Sequence, residues 1–277
     1  MMRSRRVNVV VTFCQLFRIC LDTLIRGGAR GRMQVAKSDQ ELRLLGPFRL
    51  RRGGSTLHLP HGVARMIAAL AVIGPMSRSQ TAGLLWPGGT EQQALANLRT
   101  TLSRLARVTR DVVECDGDIL CLSEGTKVDV EMLTRWINDT IYGGGASAGE
   151  LAGPPADVDR PLLADWTDEW AVDRRERLRT LTAQALQSAA ARLLSLGRPA
   201  EALPYGLAAV QTEPWSESAN RILLEIHARR GDPSSALRQY EKFSRILSRE
   251  LGVRPAPDIV AVIRQLYPFG TGRVEAV

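Results

Sequence analysis

One stretch of the sequence combines an apolar stripe with side chains that recognise nucleic acid. Residues 91–110 read EQQALANLRTTLSRLARVTR, with leucines at helical spacings of three and four that predict a core-facing stripe: Leu95, Leu98, Leu102 and Leu105. The opposite side carries polar and cationic residues: Gln93, Asn97, Thr100, Arg104 and Arg107, flanked by Arg99, Thr101 and Ser103. Arginine, asparagine and threonine hydrogen-bond base edges and phosphate oxygens. The chemistry indicated is recognition of DNA, although the pattern taken alone also fits a solvated helix face.

The distribution of charge favours the DNA interpretation. The chain of 277 residues has a formal net charge of +8 at pH 7. Residues 43–110 contain ten basic residues and one acid, Glu91, whereas residues 111–139 contain eight acids and two basic residues. Beyond residue 140 the two signs balance at seventeen each. The positive field therefore surrounds the candidate helix, which suits an anionic partner.

The neighbouring elements predict how this helix is positioned. From residue 42, LRLLGPFRLRR, the Gly53-Gly54 turn and STLHLP indicate a small antiparallel meander of strands. Two helices follow, VARMIAALAVIGP and then SRSQTAGLLWPG, with Ser77 or Ser79 as the N-cap of the second. After residues 91–110, DVVECDGDILCLSEG predicts a hairpin that turns at Asp116-Gly117. This order is that of a winged helix, with residues 91–110 as the recognition helix and residues 112–122 as the wing.

At these residues a family resemblance becomes specific. LLGPFRLRRGG, SRSQTAGLLWPG, ALANLRTTLSRLARV, the hairpin and KVDVEML are similar to the DNA-binding domain of the SARP group, the Streptomyces antibiotic regulatory proteins. The resemblance implies an OmpR-type winged helix whose third helix enters the major groove. It also implies base or phosphate contacts by six residues: Asn97, Arg99, Thr100, Thr101, Arg104 and Arg107.

The wing departs from what a DNA contact would need. Its strands and their flank carry four acids: Glu114, Asp116, Asp118 and Glu124. Phosphates repel carboxylates, so we expect the wing to contribute only a slight contact.

The second half of the chain contains a repeat. Residues 140–160, including YGGGASAGELAGPPADVD, are rich in Gly, Ala and Pro and predict a linker. Helical spacing of apolar residues then begins near Trp170 and closes at Gly197. GRPAEAL from Gly197 aligns with GDPSSAL from Gly231, an offset of 34 residues. This is the tetratricopeptide period, in which paired helices stack to bury their apolar faces.

This half resembles the bacterial transcriptional activator domain that follows the winged helix in the SARP group. The matching segments are LLADWTDEWAVDRRERLR, GRPAEAL, EPWSESANRILLEIHARRGDPSSALRQYEKF and SRELGVRPAPDI. Together the two resemblances extend from residue 42 to about residue 260, which implies a short-form member. They also imply the partners: direct-repeat promoter sites in double-stranded DNA, RNA polymerase with its sigma factor, and a second protomer in a homodimer on DNA.

The predicted fold is mainly α with a small β component, in five segments. They are a flexible N-terminal extension (1–40), the winged helix (41–139), the linker (140–160), an all-α tetratricopeptide-like domain (161–265) and a tail (266–277). The apolar run near the N-terminus is too short and polar to span a bilayer, so no membrane partner is expected. Met33 is an alternative translation start, and the cytoplasm is the expected compartment.

Other residues that attract attention have simpler interpretations. Four cysteines and three histidines show no metal-ligand spacing, and no GxxxxGK[ST] phosphate loop is present, so we expect no metal, cofactor or catalytic site. The acidic and aromatic cluster at residues 165–170 predicts helix-dipole complementation and inward tryptophans rather than catalysis. Arginines 174, 175, 177 and 179 fit a solvated face better than a second DNA contact. His58 and His61 are interpreted as loop residues.

The sequence therefore predicts a sequence-specific transcriptional regulator, an activator that recruits RNA polymerase to promoters of a secondary-metabolite or similar gene cluster. The alternative is a protein-interaction adaptor that uses its tetratricopeptide-like half and keeps the winged helix as a scaffold. The charge pattern discriminates between them, since an adaptor has no need of a strongly cationic segment such as residues 43–110. An enzyme is not expected.

Overall fold

The computed structural model of the chain describes residues 40–109, 111–143 and 153–266. The predicted N-terminal extension therefore lies outside the described residues except for Gln40, and so do residues 144–152 of the predicted linker and residues 267–277 of the tail. The described residues are mainly helical, with a small β component at their N-terminal side.

Two small sheets frame the first half. The first has the order β3-β2-β1-β7, with β7 parallel to β1 and the other pairs antiparallel; its strands are β1 (Gln40–Arg43), β2 (Arg49–Arg52), β3 (Ser55–Leu57) and β7 (Thr126–Val128). The second has the order β4-β6-β5 and contains β4 (Met76–Ser77), β5 (Val113–Asp116) and β6 (Ile119–Leu122). The predicted meander is β1 to β3, and the predicted wing is the hairpin of β5 and β6.

Three helices lie between the strands of these sheets, in the predicted order. They are α1 (His61–Ile73), α2 (Arg78–Leu85) and α3 (Glu91–Val108). Ser77 is the N-cap of α2 and forms a reciprocal capping box with Gln80. A further helix, α4 (Asp129–Tyr142), follows β7 and continues three residues into the predicted linker. The winged helix predicted from the sequence is confirmed.

Paired helices make up the second half. They are α5 (Glu169–Ser195), α6 (Pro199–Thr212), α7 (Glu217–Arg229), α8 (Pro233–Glu250) and α9 (Pro257–Leu266). The 34-residue offset appears in the geometry of two turns. Gly197 and Gly231 have φ angles of +70° and +67°, and each is followed two residues later by a proline that opens the next helix. Repeated sequence thus gives a repeated helix end, with glycine in the left-handed region that side chains disfavour.

A short strap, defined here as residues 161–166, joins the two halves through backbone hydrogen bonds. Gly46 N donates to Pro161 O at 2.8 Å and Leu163 N donates to Leu44 O at 2.8 Å. Leu163 is the one non-glycine residue with positive φ, 45°, among those described. Arg175 holds the same turn by donating from Nε to Leu162 O at 2.6 Å and from Nη2 to Trp166 O at 2.8 Å. Arg175 is therefore a structural clamp on the strap.

Side chains close the same seam around Trp166. This indole stacks on Phe48 at a centroid distance of 5.9 Å and meets the edge of His61 at 5.4 Å. Trp170 meets it edge to face at 6.2 Å. The inward packing predicted for the two tryptophans is confirmed, whereas the loop assignment of His61 is wrong. His61 is the first residue of α1 and packs against the second half of the chain.

An ion pair lies beside the aromatic cluster. Arg65 of α1 binds Asp168, and the two side chains are 19% and 14% exposed. Arg65 also donates to Leu85 O at 3.0 Å, so one guanidinium joins α1, α2 and the start of α5. Buried apolar residues continue from Leu42 to Ile226 as a single cluster. The winged helix and the first helix pairs therefore share one hydrophobic core.

Candidate nucleic-acid interface

The ends of α3 are fixed by local hydrogen bonds. Thr90 Oγ1 accepts from Gln93 N at 3.3 Å, and Gln93 Oε1 accepts from Thr90 N at 3.1 Å. This capping box satisfies two of the amide groups that a helix N-terminus leaves unpaired. At the other end, Arg52 donates to Thr109 Oγ1 at 3.3 Å and to Asp111 Oδ2 at 2.6 Å. The helix is thus held to the first sheet as well as by its own cap.

One face of α3 is buried against α1 and α2. Ala94, Leu98, Thr101 and Leu105 are buried, whereas Leu95 and Leu102 are half-buried at the border of that face. The predicted leucine stripe is therefore rotated slightly toward Thr101. Such burial orients the helix because rotating it would expose the core-facing leucines.

The structure corrects the prediction of a DNA contact by Thr101. Its side chain is only 6% exposed, and Oγ1 donates to Asn97 O at 2.9 Å. A Cβ placed on Gly62 of α1 would lie 3.8 Å from this hydroxyl oxygen, which shows how closely Thr101 faces α1. The physical reason is helical rotation, since consecutive residues point about 100° apart. Thr101 is a packing residue.

The other five predicted residues lie on the solvent-facing side of α3: Asn97, Arg99, Thr100, Arg104 and Arg107. No acidic side chain pairs with the three arginines within the described part of the chain. Thr100 Oγ1 donates to Ala96 O at 3.0 Å and keeps its acceptor lone pairs exposed. These five residues form what we call the outer face of α3, which presents three uncompensated cations and two hydrogen-bonding groups.

The wing presents the opposite charge. Glu114, Asp116, Asp118 and Glu124 are all exposed, and Ile119 between them is 42% exposed. Burial, followed by the Glu114 carboxylate, raises the pKa of the Cys121 thiol. The backbone of the wing turn is tied to α2, because Arg78 N donates to Asp118 O at 3.0 Å. The acidic wing therefore has a fixed position beside the helix-turn-helix segment.

A concavity of about 510 Å³ lies at the N-terminal end of α3. It is lined by Trp86, Gly88, Gly89, Gln93, Ala96 and Asn97. The sequence patterns did not identify Trp86, Gly88 or Gly89 as possible interface residues, because these residues lie outside the periodic stretch of α3. The adjacent glycines immediately before the N-cap were the available signal. The concavity continues from the outer face of α3 through their shared residue, Asn97.

Within the ranges that the structure describes, no three His, Cys, Asp or Glu residues are grouped so as to hold a metal ion. The helices in those ranges include none that is both long and apolar enough to cross a membrane.

Comparisons with known proteins agree with this architecture. Residues 159–267 match the model of the bacterial transcriptional activator domain. Regulatory protein AfsR from Streptomyces griseus is 27% identical over 251 residues, which cover 80% of this chain. The chain spans only 24% of that relative's length.

A solved structure shares the fold. It is described as Mycobacterium tuberculosis EmbR in complex with a low affinity phosphopeptide, and it superposes with a TM-score of 0.58 at 20% sequence identity. The match covers 83% of this chain and 65% of that one. The chain therefore combines a winged helix with a segment that matches the bacterial transcriptional activator domain, an arrangement typical of transcriptional regulators. These similarities agree with the resemblance to the SARP group that the sequence motifs indicate.

Proposed function

We propose that this chain is a sequence-specific, DNA-binding activator that acts in the cytoplasm by recruiting RNA polymerase to its promoters. The outer face of α3 carries the proposal: Asn97 and Thr100 supply groups for base edges, and three arginines supply charge for guanine or phosphate. The helix is backed by a buried core and capped at its N-terminus, so its outer face is pre-organised. Recruitment makes and breaks no covalent bond.

The proposed target is a pair of direct repeats upstream of a promoter, occupied by two protomers. Two exposed positions of α3 beside these arginines, Ala96 and Ser103, carry small side chains, which leaves the arginine side chains room to enter a groove. An α-helix fits the major groove of B-form DNA, where every base pair presents a distinct hydrogen-bonding pattern. Controlled genes would form a secondary-metabolite or similar cluster, in keeping with the family.

The first test is chromatin immunoprecipitation with sequencing in the native host. The wild type is compared with an Asn97→Ala/Arg104→Ala variant, and an Asn138→Ala/Arg245→Ala variant, exposed and away from α3, is the matched control. We expect sharp peaks over a shared repeated motif for wild type and control, and their loss in the α3 variant. Peaks that persist in the α3 variant would contradict the proposal.

Salt dependence gives an independent measurement. Binding of Arg99, Arg104 and Arg107 to phosphates releases counterions, so the logarithm of the association constant should fall linearly with the logarithm of salt concentration. Fluorescence anisotropy with the recovered operator measures the slope. A binding constant that stays flat from low to physiological salt would exclude an electrostatic interface.

The paired helices are proposed to contact RNA polymerase and its sigma factor. Three apolar side chains are exposed in the turns after α6 and α8: Trp215 at 48%, Leu251 at 58% and Val253 at 50%. Ala256 N donates to Glu217 Oε1 at 3.0 Å, which joins the turn after α8 to the start of α7. Contiguous exposed apolar groups are typical of protein contact sites, and we propose that these three side chains contribute to one. A Trp215→Ala/Leu251→Ser variant should bind the operator normally and fail to activate transcription from it in a reconstituted assay.

The adaptor alternative uses the same exposed apolar turns but leaves α3 without a partner. The immunoprecipitation experiment separates the two, because an adaptor gives no enrichment that depends on Asn97 and Arg104. In that outcome, affinity capture with the paired helices intact would be the next measurement, with Trp215→Ala as its control.

A further inference from the structure

We propose that the concavity at the N-terminal end of α3 is a specificity pocket for one A·T base pair. The inference rests on the proposed function and adds a base identity to it. Gln93 and Asn97 on its wall continue the line of Thr100, Arg104 and Arg107 at alternating spacings of four and three. Residues at these spacings share one side of a helix. A groove that receives the arginines therefore passes over the concavity.

The two glycines point to an occupant. Neither Gly88 nor Gly89 has a positive φ, so the backbone there is open to other residues. A Cβ on Gly88 would meet no atom within 4 Å, and one on Gly89 would make ordinary contact with Gln93 Oε1 at 3.5 Å. Local conformation and packing thus leave both positions free to carry side chains. What the glycines contribute is an unobstructed opening beside the helix.

The polar groups in the pocket match adenine better than guanine. The Asn97 carboxamide forms no hydrogen bond within the described part of the chain and offers one donor and one acceptor. Adenine presents an N7 acceptor and an N6 donor in the major groove, whereas guanine presents two acceptors. Asn97 is therefore complementary to adenine.

The remaining groups match the thymine of the same pair. Gln93 Oε1 already accepts from Thr90 N, whereas the Nε2 donor makes no hydrogen bond to the described residues and is open to a ligand. Thymine presents the O4 acceptor and the 5-methyl group in the major groove. Trp86 and Ala96 supply apolar surface for that methyl group. The O4 acceptor of thymine would thus meet the Gln93 donor, and its methyl group would meet the apolar surface of Trp86 and Ala96.

Replacement of thymine by deoxyuridine tests the pocket directly, because it removes only the methyl group. Each thymine of one operator half-site is replaced in turn, and affinity is measured by fluorescence anisotropy. For the wild type, one replacement should weaken binding about fourfold, the effect expected for one buried methyl group. The same replacement should have no effect on Trp86→Leu or Ala96→Ser, and should keep its full effect on Ser103→Ala, an exposed control on α3.

Base preference supplies the second readout. In binding selections from a random library, Asn97→Ala should lose the preference for A·T at that position, a loss of about five- to 150-fold in discrimination. Ala96→Ser keeps the test valid if Trp86→Leu fails to fold, which circular dichroism would reveal.

Three outcomes overturn the inference, and they are distinguishable. A wild type that selects no common sequence removes the proposed function as well. A defined operator in which no thymine is sensitive, or in which every variant is equally sensitive, removes only the A·T pocket. If Gly88→Val fills the concavity, leaves operator affinity unchanged and abolishes activation, the occupant is a protein instead.

Discussion

Two adjacent threonines on α3 have different surroundings. Thr100 is exposed beside the arginines of the outer face, whereas Thr101 is buried against α1 and bonded to the Asn97 carbonyl. Because one helical step separates them, neighbouring residues of the same type are expected to respond differently to substitution. Stability and the proposed DNA affinity are therefore expected to depend on separate side chains of one helix.

Substitution of Thr101 and Arg104 tests this separation. Thr101→Ala should lower the free energy of unfolding by about 1 kcal/mol, since it removes a buried hydrogen bond, and should leave operator affinity unchanged. Arg104→Ala should leave unfolding unchanged and weaken specific binding by about 1 to 3 kcal/mol if Arg104 contacts a base. Urea unfolding and fluorescence anisotropy measure the two effects. Equal loss of affinity in both variants would restore Thr101 to the contact set.

His227 should make the stability of the paired helices depend on pH. The side chain is buried near the end of α7, and burial lowers its pKa, while nearby Asp232 opposes and Arg230 and Arg238 assist that shift. The neutral form is favoured in the folded state, so folding stability is present above the unfolded pKa of about 6.5 and is lost as pH falls through it toward the lower folded value.

Urea unfolding of wild type and His227→Gln across pH 7.5 to 5 checks this expectation. The free energy of unfolding should fall with decreasing pH more steeply in the wild type than in the variant. Curves that run parallel would show that other groups control the acid sensitivity.

The negative charge of the wing should weaken binding to DNA, and neutralising it tests this expectation. A variant with Glu114→Gln, Asp116→Asn and Asp118→Asn should bind the operator more tightly, because it removes repulsion between carboxylates and phosphates. The gain should shrink as salt is raised, since salt screens exposed charges over about 10 Å at 0.1 M. Anisotropy titrations at several salt concentrations measure it.

The matched control for the wing replaces three exposed carboxylates of the second half, Asp165, Glu169 and Asp173, by their amides. These lie beyond the winged helix in sequence, so operator affinity should stay at the wild-type value. If the operator affinity of the wing variant also stays at the wild-type value, the wing lies too far from the phosphates for its carboxylates to repel them.

Sequence patterns predicted the elements better than their mutual contacts. The spacing of Leu98 and Leu105 located α3, and the offset between Gly197 and Gly231 located two equivalent helix ends, because both signals are local in the chain. Arg65 and Asp168 are 103 residues apart, and no periodicity connects them. The apolar spacing of α3 showed that a face is buried, but the neighbour that covers it, and hence the burial of Thr101, depended on α1.

The candidate site was predictable to a similar extent. Five of the six proposed contact residues are exposed, as the helical spacing of the apolar residues predicts. The sixth, Thr101, lies at the border of the predicted apolar stripe, where spacing alone does not decide burial. The concavity formed by Trp86, Gly88 and Gly89 was not predicted, since an opening is created by the turn between two helices and by absent side chains. An opening of this kind leaves no periodic pattern in the sequence.

At the scale of the whole described chain, the strap determines whether the two halves unfold together. Trp166→Ala should lower the free energy of unfolding by about 3 to 5 kcal/mol, the usual cost of removing a buried aromatic side chain. It should also split one cooperative transition into two, because Phe48 and His61 lose their contact with the second half. Calorimetry checks both effects, and Trp215→Ala, at a half-exposed tryptophan, should change neither.

The strap also limits how such a regulator can diversify. A recombination breakpoint within residues 143–160, the part of the predicted linker beyond α4, would keep each set of helices intact yet bring a foreign partner to Phe48, His61 and Arg65. Functional hybrids are therefore expected when the crossover lies after the first turn of α5, so that Trp166, Asp168 and Trp170 travel with the winged helix. The segment that must be inherited together is the winged helix with the residues of the strap and of α5 that pack against it, and a domain boundary placed by sequence composition divides that segment.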